Sequence, residues 1–241
     1  MKSAYVHLMH TLRRHAESGG VLAALERRME HQRWALWLRS LLAIYDVEDL
    51  IRLGQPWWTF ASARLVERFL VLHPGAKVFE YGAGASTLWL AQRAAQVQFV
   101  EHDPDWMQIF QPHLAGFSQI EGQLITPQPS AAPQCSSGRK GYAELDFQEY
   151  VAAIAATPDR YEVIVIDGRA RVACLHQALS QLNTPGLIVF DNAGRRRYQA
   201  VLRQIIQPTL HTWGLTPCLP YPESTLLIFS DHATRQQVAG E

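Results

Sequence analysis

The stretch from Val78 to Asp103 constrains this chain more than any other. It opens Val-Phe-Glu-Tyr-Gly-Ala-Gly-Ala-Ser-Thr, continues with helical spacing, and resumes as Val97-Gln-Phe-Val-Glu101-His-Asp. An apolar run ending in an acid, a glycine turn, a helix and a second apolar run ending in Glu101 make a strand, a loop, a crossover helix and a parallel strand. Gly82 and Gly84 place no Cβ between the backbone and a ligand. Glu101, at the end of the second strand, is positioned to accept both hydroxyls of a ribose.

Dinucleotides and S-adenosylmethionine both carry a ribose, and the loop separates them. A dinucleotide fingerprint has a third glycine that lets helix and strand pack closely, with the pyrophosphate on the helix N-terminus. Here that position is Thr87, a β-branched residue. Glu80, two residues before Gly82, would repel a pyrophosphate but suits an ammonium. The loop therefore favours S-adenosylmethionine over a nicotinamide cofactor, the rival being an oxidoreductase on a related fold. The plainer reading is a tight strand–helix turn with solvated carboxylates.

The remaining composition narrows the class. Lys plus Arg and Asp plus Glu both total 22, so no global field favours nucleic acid or an anionic membrane. Cys135, Cys174 and Cys218 are scattered and odd in number, which reads as free thiols in a reducing compartment. His7, His10, Arg13 and Arg14 interrupt the start, so no apolar leader is expected. The segment 34–45 is too short to span a bilayer and contains Arg39. A soluble cytoplasmic protein is expected.

Residues 1–55 read as a helical N-terminal extension, and 56–241 as the main domain. Leu22, Leu25, Met29, Trp34, Trp37, Leu38, Leu41 and Leu42 recur at helical spacing, with a break at Gly19-Gly20. This stripe should pack over the ligand edge of the sheet or onto a second copy of the chain, with Trp34 and Trp37 buried. Beyond a helix at 60–72, strands are expected at 77–81, 97–101, 119–125, 161–167 and 186–191. Helices are expected at 86–95, 104–115, 146–156, 171–182 and 195–207. A last pair of strands near 215–218 and 224–230 includes one antiparallel member, and 127–141 reads as a flexible loop. Near-continuous apolar strands alternating with helices indicate a parallel sheet covered on both faces.

The chain resembles the class I S-adenosylmethionine-dependent methyltransferases over about 74–230. Within them it is similar to a bacterial group marked by P-W-W-T, V-F-E-Y-G-x-G-x-S-T, V-E-H-D-P, D-G-R-x-R and D-N. These stand here at Pro56–Thr59, Val78–Thr87, Val100–Pro104, Asp167–Arg171 and Asp191–Asn192. The resemblance implies a Rossmann-like, mostly parallel seven-stranded sheet with helices on both faces and the last strand antiparallel. It implies S-adenosylmethionine across the carboxyl ends of the first two strands. Glu80, Gly82, Gly84 and Ala85 would line the methionyl part. Ser86 and Thr87 would cap the helix, with one hydroxyl toward the ligand carboxylate. Glu101 would hold the ribose, His102 would lie against the adenine, and Asp167 would also contact the cofactor. Residues 121–142 match no clear adenine-contact pattern.

Asp167 and Asp191-Asn192 sit at the ends of the fourth and fifth strands, on the edge that carries the glycine loop. Catechol-type O-methyltransferases hold magnesium with such a set, so Asp167, Asp191 and Asn192 could ligate Mg2+. The spacing is shorter here, and Ala170 stands where that group has a catalytic lysine. The other reading has Asp167 capping a helix or bonding Arg169, with Asn192 in a turn. Arg169 and Arg171 could hold an anionic acceptor or pair structurally. Arg195-Arg196-Arg197 opposes a helix dipole and could meet a phosphate or carboxylate. Trp57 and Trp58 either roof the ligand or pack at a seam, and Cys174 reads as core. The expected chemistry is methyl transfer to a small-molecule oxygen, with Asp167, Arg169 and Asp191 acting on the acceptor. A non-catalytic cofactor-binding scaffold is the further alternative.

Overall fold

The apolar runs do form one sheet, and their register explains why they lack polar alternation. A computed structural model describes residues 2–240 apart from Tyr45 and Thr157, with side chains from Tyr5 onward. Its seven-stranded sheet comprises β1 (Lys77–Tyr81), β2 (Gln96–Glu101), β3 (Ile120–Leu124), β4 (Tyr161–Ile166), β5 (Leu182–Asp191), β6 (Thr209–Gly214) and β7 (Glu223–Phe229). The order is β3-β2-β1-β4-β5-β7-β6, with β7 antiparallel to both neighbours and the β1–β5 pairs parallel. Side chains alternate between two apolar layers. Phe79, Tyr81, Ile164, Ile166, Ile188 and Phe190 face one; Val78, Val163, Val165, Leu187 and Val189 face the other. With helices on both faces, both sets of positions must be apolar.

Helices α1 (Lys2–Ser18), α2 (Val21–Met29), α3 (Arg33–Leu41) and α4 (Val47–Leu53) precede α5 (Phe60–Leu72). Gly20 at φ 72 separates α1 from α2, and Gly54 at φ 59 ends α4, both in the left-handed region that favours glycine. A buried cluster of Ala43, Ile44, Leu50, Leu53 and Cys218 packs against Trp57 and Ala85, so these helices do cover the ligand edge of the sheet. The Trp37 indole donates to the Leu219 carbonyl at 2.9 Å. Trp34, expected to be buried, is instead 51% exposed. Its ring lies off the stripe that α3 turns toward Ala35, Arg39 and Ser40.

The bidentate pair of Arg39 with Asp49, fully buried between α3 and α4, fixes that stripe, with Glu26 and Arg13 joining it. A chain beginning at Pro56 would uncover Trp57, Ala85 and Cys218 together. It should melt several degrees lower or aggregate, read by thermal unfolding and light scattering. Unchanged melting and mass would make residues 1–55 dispensable.

The C-terminal part departs from expectation. Residues 195–207 form a single 3-10 turn, Arg196–Tyr198, and one short helix, α10 (Gln199–Leu202). Pro208 disfavours helical backbone before it. The edge strand is 209–214, ahead of the expected 215–218, where Pro217 donates no hydrogen bond and Cys218 turns left-handed at φ 66. The segment 127–141 is pinned where flexibility was expected. Gln128–Pro129 pairs with Leu145–Asp146, and the Asp146 carboxylate accepts from the amides of Gln134, Cys135 and Gln148. Those amides hold the Asp146 carboxyl below its ordinary range.

No helix among the described residues is long and apolar enough to cross a membrane.

Candidate active site

The ends of β1, β2, β4 and β5 converge on a cleft with two lobes. One, about 330 Å³, is bordered by Glu80, Gly82, Glu101, His102 and Gly168. The other, about 500 Å³, is bordered by Trp57, Ala85, Asp191, Asn192 and Tyr221. Ala83, Ser86, Trp106, Arg139, Asp167 and Arg169 border both. The two lobes are therefore continuous, and Asp167 stands at their junction.

The turn after β1 requires glycine at one position of its own and one across from it. Gly82 sits at φ 104, and a Cβ there would come 3.2 Å from the Gly168 backbone. Gly168 packs so closely that its Cβ would meet the Tyr150 hydroxyl at 2.0 Å and the Tyr81 carbonyl at 2.9 Å. Gly84 is different: its φ of 172 is extended backbone, and a Cβ there would only graze Trp106 at 4.0 Å. The Trp106 indole donates to the Ala83 carbonyl at 2.7 Å, bracing the turn from α7 (Pro104–Phe110). Asp103 caps that helix through the amides of Asp105 and Trp106.

Glu80 lies behind the turn and is fully buried. Ser86 and Thr87 both donate their hydroxyls to it, and Thr87 also accepts from the Gly84 amide, closing the start of α6 (Ala85–Ala91). Both hydroxyl protons, one of which had been expected to turn to a ligand, thus go to Glu80. Burial pushes the Glu80 carboxyl up to about 8, against the pull of the two hydroxyls. A cation arriving beside it would relieve that penalty.

Glu101 is buried as well, and its carboxylate organises three loop amides. Oε2 accepts from Ala83 at 2.9 Å, and Oε1 accepts from His102 at 2.7 Å and Asp103 at 2.8 Å. The His102 ring lies against Tyr142, Phe147 and Tyr150. Its Nδ1 is 2.6 Å from Glu101 Oε1 but poorly aligned, so neither ring nitrogen makes a hydrogen bond among the described residues. Tyr150 Oη and Arg169 Nε are likewise buried there without a partner.

At the junction, Arg171 is the central cation. It begins α9 (Arg171–Gln181), donates Nη2 to Asp167 Oδ1 at 2.7 Å, and places Nη1 3.7 Å from Asp191 Oδ2. Further donations reach the main-chain carbonyls of Asp167, Gly168 and Asp191. Of the two arginines open to it as structural partners, Asp167 therefore pairs with Arg171 and not with Arg169. Asp191 also accepts from Thr225. Burial and the Asp167 carboxylate push the Asp191 carboxyl up to about 8, opposed by Arg171.

The magnesium expected between Asp167, Asp191 and Asn192 does not fit this arrangement. The Arg171 guanidinium already pairs with Asp167 and lies beside Asp191, and Asn192 makes a left-handed turn at φ 53. Among the described residues no group of three or more His, Cys, Asp or Glu is placed to hold a metal ion.

No protein-family model matches the chain, and no curated protein matches it in sequence. Solved structures do match. One is a Klebsiella pneumoniae protein provisionally assigned as an O-methyltransferase, at TM-score 0.56 and 17% identity, covering 77% of this chain and 87% of that one. Another is a Clostridium thermocellum protein provisionally assigned as an rRNA methylase, at TM-score 0.51 and 10% identity, covering 73% and 99%. The fold is that of the class I methyltransferases.

Within this methyltransferase fold the residues fit S-adenosylmethionine. The small lobe offers a buried carboxylate at the end of β2, a second behind the turn, a close glycine cradle and unpartnered polar atoms on His102 and Tyr150. Of the tryptophan pair, Trp57 borders the larger lobe, while Trp58 is fully buried edge-on to Trp89 at 5.9 Å. Cys174 is buried core.

Sequence reasoning missed Trp106, Arg139, Tyr221 and Gly168. Only Trp106 and Gly168 carried a usable signal, lying within or just after the matched D-P and D-G-R motifs. Arg139 comes from a segment without periodicity, and Tyr221 from a connection between strands.

Proposed function

We propose that this protein is an S-adenosylmethionine-dependent methyltransferase acting at oxygen on a small-molecule acceptor. One observation carries the reading: Asp167 borders both a lobe suited to an adenosine ligand and a larger lobe continuous with it. S-adenosylmethionine supplies a methyl group already activated on a sulfonium, so the protein's work is alignment and proton removal. Asp167 Oδ1 is held by Arg171, and Oδ2 makes no hydrogen bond among the described residues. That second oxygen is the base for the acceptor hydroxyl. Arg171 supplies the countercharge and fixes the carboxylate. Asp191, pushed up to about 8, acts as an orienting and hydrogen-bonding group beside it. Val47 and Leu50 of α4 add apolar side chains to the lobe's lining.

Nothing in the loop favours a nicotinamide cofactor, since Thr87 is buried and bonded where a third glycine would be needed. The test is to incubate the protein with methyl-labelled S-adenosylmethionine and fractionated small metabolites, then identify the labelled product. Asp167→Asn should bind S-adenosylhomocysteine normally and transfer methyl about 10²–10⁴-fold more slowly, the range for loss of a general base. Transfer at the wild-type rate removes Asp167 from the chemistry. Failure to bind the cofactor defeats the whole reading, and tight binding without turnover on every fraction supports the scaffold instead.

A further inference from the structure

Arg139, Arg169, Arg195 and Arg197 border the larger lobe, and none forms an ion pair among the described residues. Three acids border the lobe as well, Asp167, Asp191 and Glu223, and Arg171 answers the first two, so five arginines still outnumber the acids. The partners of the others are neutral. Arg139 and Arg169 lie over the Tyr142 ring at 5.7 and 5.3 Å. Arg197 lies over Tyr198 at 4.9 Å and donates to the Gly138 carbonyl at 3.0 Å. Arg169 Nε is buried without an acceptor. A buried charged donor is expensive to leave unpaired, which makes this atom a place where a ligand completes the hydrogen bonding.

The positive charge is local. The chain as a whole carries equal numbers of basic and acidic residues, so the excess in this lobe is matched by a deficit elsewhere. Low-dielectric walls focus such a field on whatever enters. Guanidinium forks match carboxylate and phosphate oxygens two at a time. A lobe of about 500 Å³ suits a small molecule.

We propose that the methyl acceptor is a small molecule bearing a dianionic oxyanion group, a phosphate ester or paired carboxylates, held by Arg169, Arg195 and Arg197. The anion site stands on the arginine geometry; only its role as the acceptor's anchor rests on the methyltransferase reading above.

The test uses calorimetry on the full chain at low salt, with and without saturating S-adenosylhomocysteine. The probes are phenyl phosphate, benzene-1,2-dicarboxylate and phenol. Binding of either dianion and not of phenol supports the proposal, and the stronger of the two identifies the source of the charge. Arg169→Gln, and separately Arg195→Gln with Arg197→Gln, should each weaken that binding about tenfold or more, the scale of a lost charged hydrogen bond. Arg195 and Arg197 are exposed and border only the larger lobe, so the double variant should keep its melting temperature and its S-adenosylhomocysteine affinity. Equal affinity for phenol, or binding indifferent to both sets of substitutions, overturns the proposal. So does a short single-stranded RNA that binds more tightly than the dianions with the same arginine dependence. If S-adenosylhomocysteine itself fails to bind, the methyltransferase reading falls, while the titrations without it still decide the anion site.

Discussion

Glu101→Ala should lose S-adenosylmethionine binding by at least about 3 kcal/mol, roughly a hundredfold or more, and lower the melting temperature as well. A ribose acceptor alone would account for about 1.5–3 kcal/mol, the range for a hydrogen bond to a charged group. The structure adds a second loss. The same carboxylate accepts from the amides of Ala83, His102 and Asp103. Removing it leaves those donors without their acceptor at the floor of the small lobe, at about 1–3 kcal/mol for each that stays buried and unpaired. The turn after β1 and the entry to α7 would both loosen, so even ligand contacts that avoid Glu101 lose their geometry. Calorimetry with S-adenosylmethionine and thermal unfolding on the same samples read the two parts separately. Wild-type affinity in the variant would exclude this lobe as the cofactor site. Lost affinity with unchanged melting would mean that the carboxylate only binds ligand and organises nothing.

The dual role of Glu101 shows what the sequence made legible. Strands β1, β2, β4 and the apolar part of β5 could be read because a sheet covered on both faces demands unbroken apolar runs, and the clusters on its two sides confirm the demand. The acids at strand ends could be read because strand ends converge on the crevice of an open α/β sheet. What these acids bond to could not be read, since it depends on contacts between distant segments. Asp167 meets Arg171, one of two arginines open to it, and Glu80 takes both hydroxyls, one of which had been expected at a ligand. The two-fold period of β6 was hidden for a related reason. As an edge strand it buries little beyond Thr212, which bonds the Thr59 hydroxyl at 2.6 Å, and it leaves Trp213 70% exposed. Trp34 was misplaced because a short helix with apolar residues on several sides does not reveal which side faces the core.

The position of Arg171 predicts a second large effect, on stability and its pH dependence. Arg171→Met keeps much of the side-chain volume but withdraws the cation between Asp167 and Asp191. Breaking a buried ion pair from one side typically costs about 3–5 kcal/mol, because the remaining charge is left uncompensated. For a chain of this size that corresponds to a melting temperature lower by roughly 6–20 °C. Alkali should widen the gap. Folding holds the Asp191 carboxyl at about 8, above its ordinary 3.8, so across that interval the folded protein binds a proton that the unfolded chain releases. A carboxyl raised in this way contributes stability at low pH and loses it as pH rises toward the folded value. Arg171 opposes the rise, so removing it pushes Asp191 higher still and deepens the loss above about pH 8. Below about pH 8 the folded carboxyl is protonated in both proteins and the difference in melting temperature between wild type and Arg171→Met should hold steady; from about pH 8 to about pH 9 it should grow, as Asp191 ionises beside Arg171 in the wild type and keeps its proton in the variant. A difference that stays constant would assign the whole effect to the three main-chain carbonyls that Arg171 also serves. A difference that widens on acidification would show that the Asp191 carboxyl is depressed by Arg171 in the folded protein, reversing the reading of its role beside the acceptor.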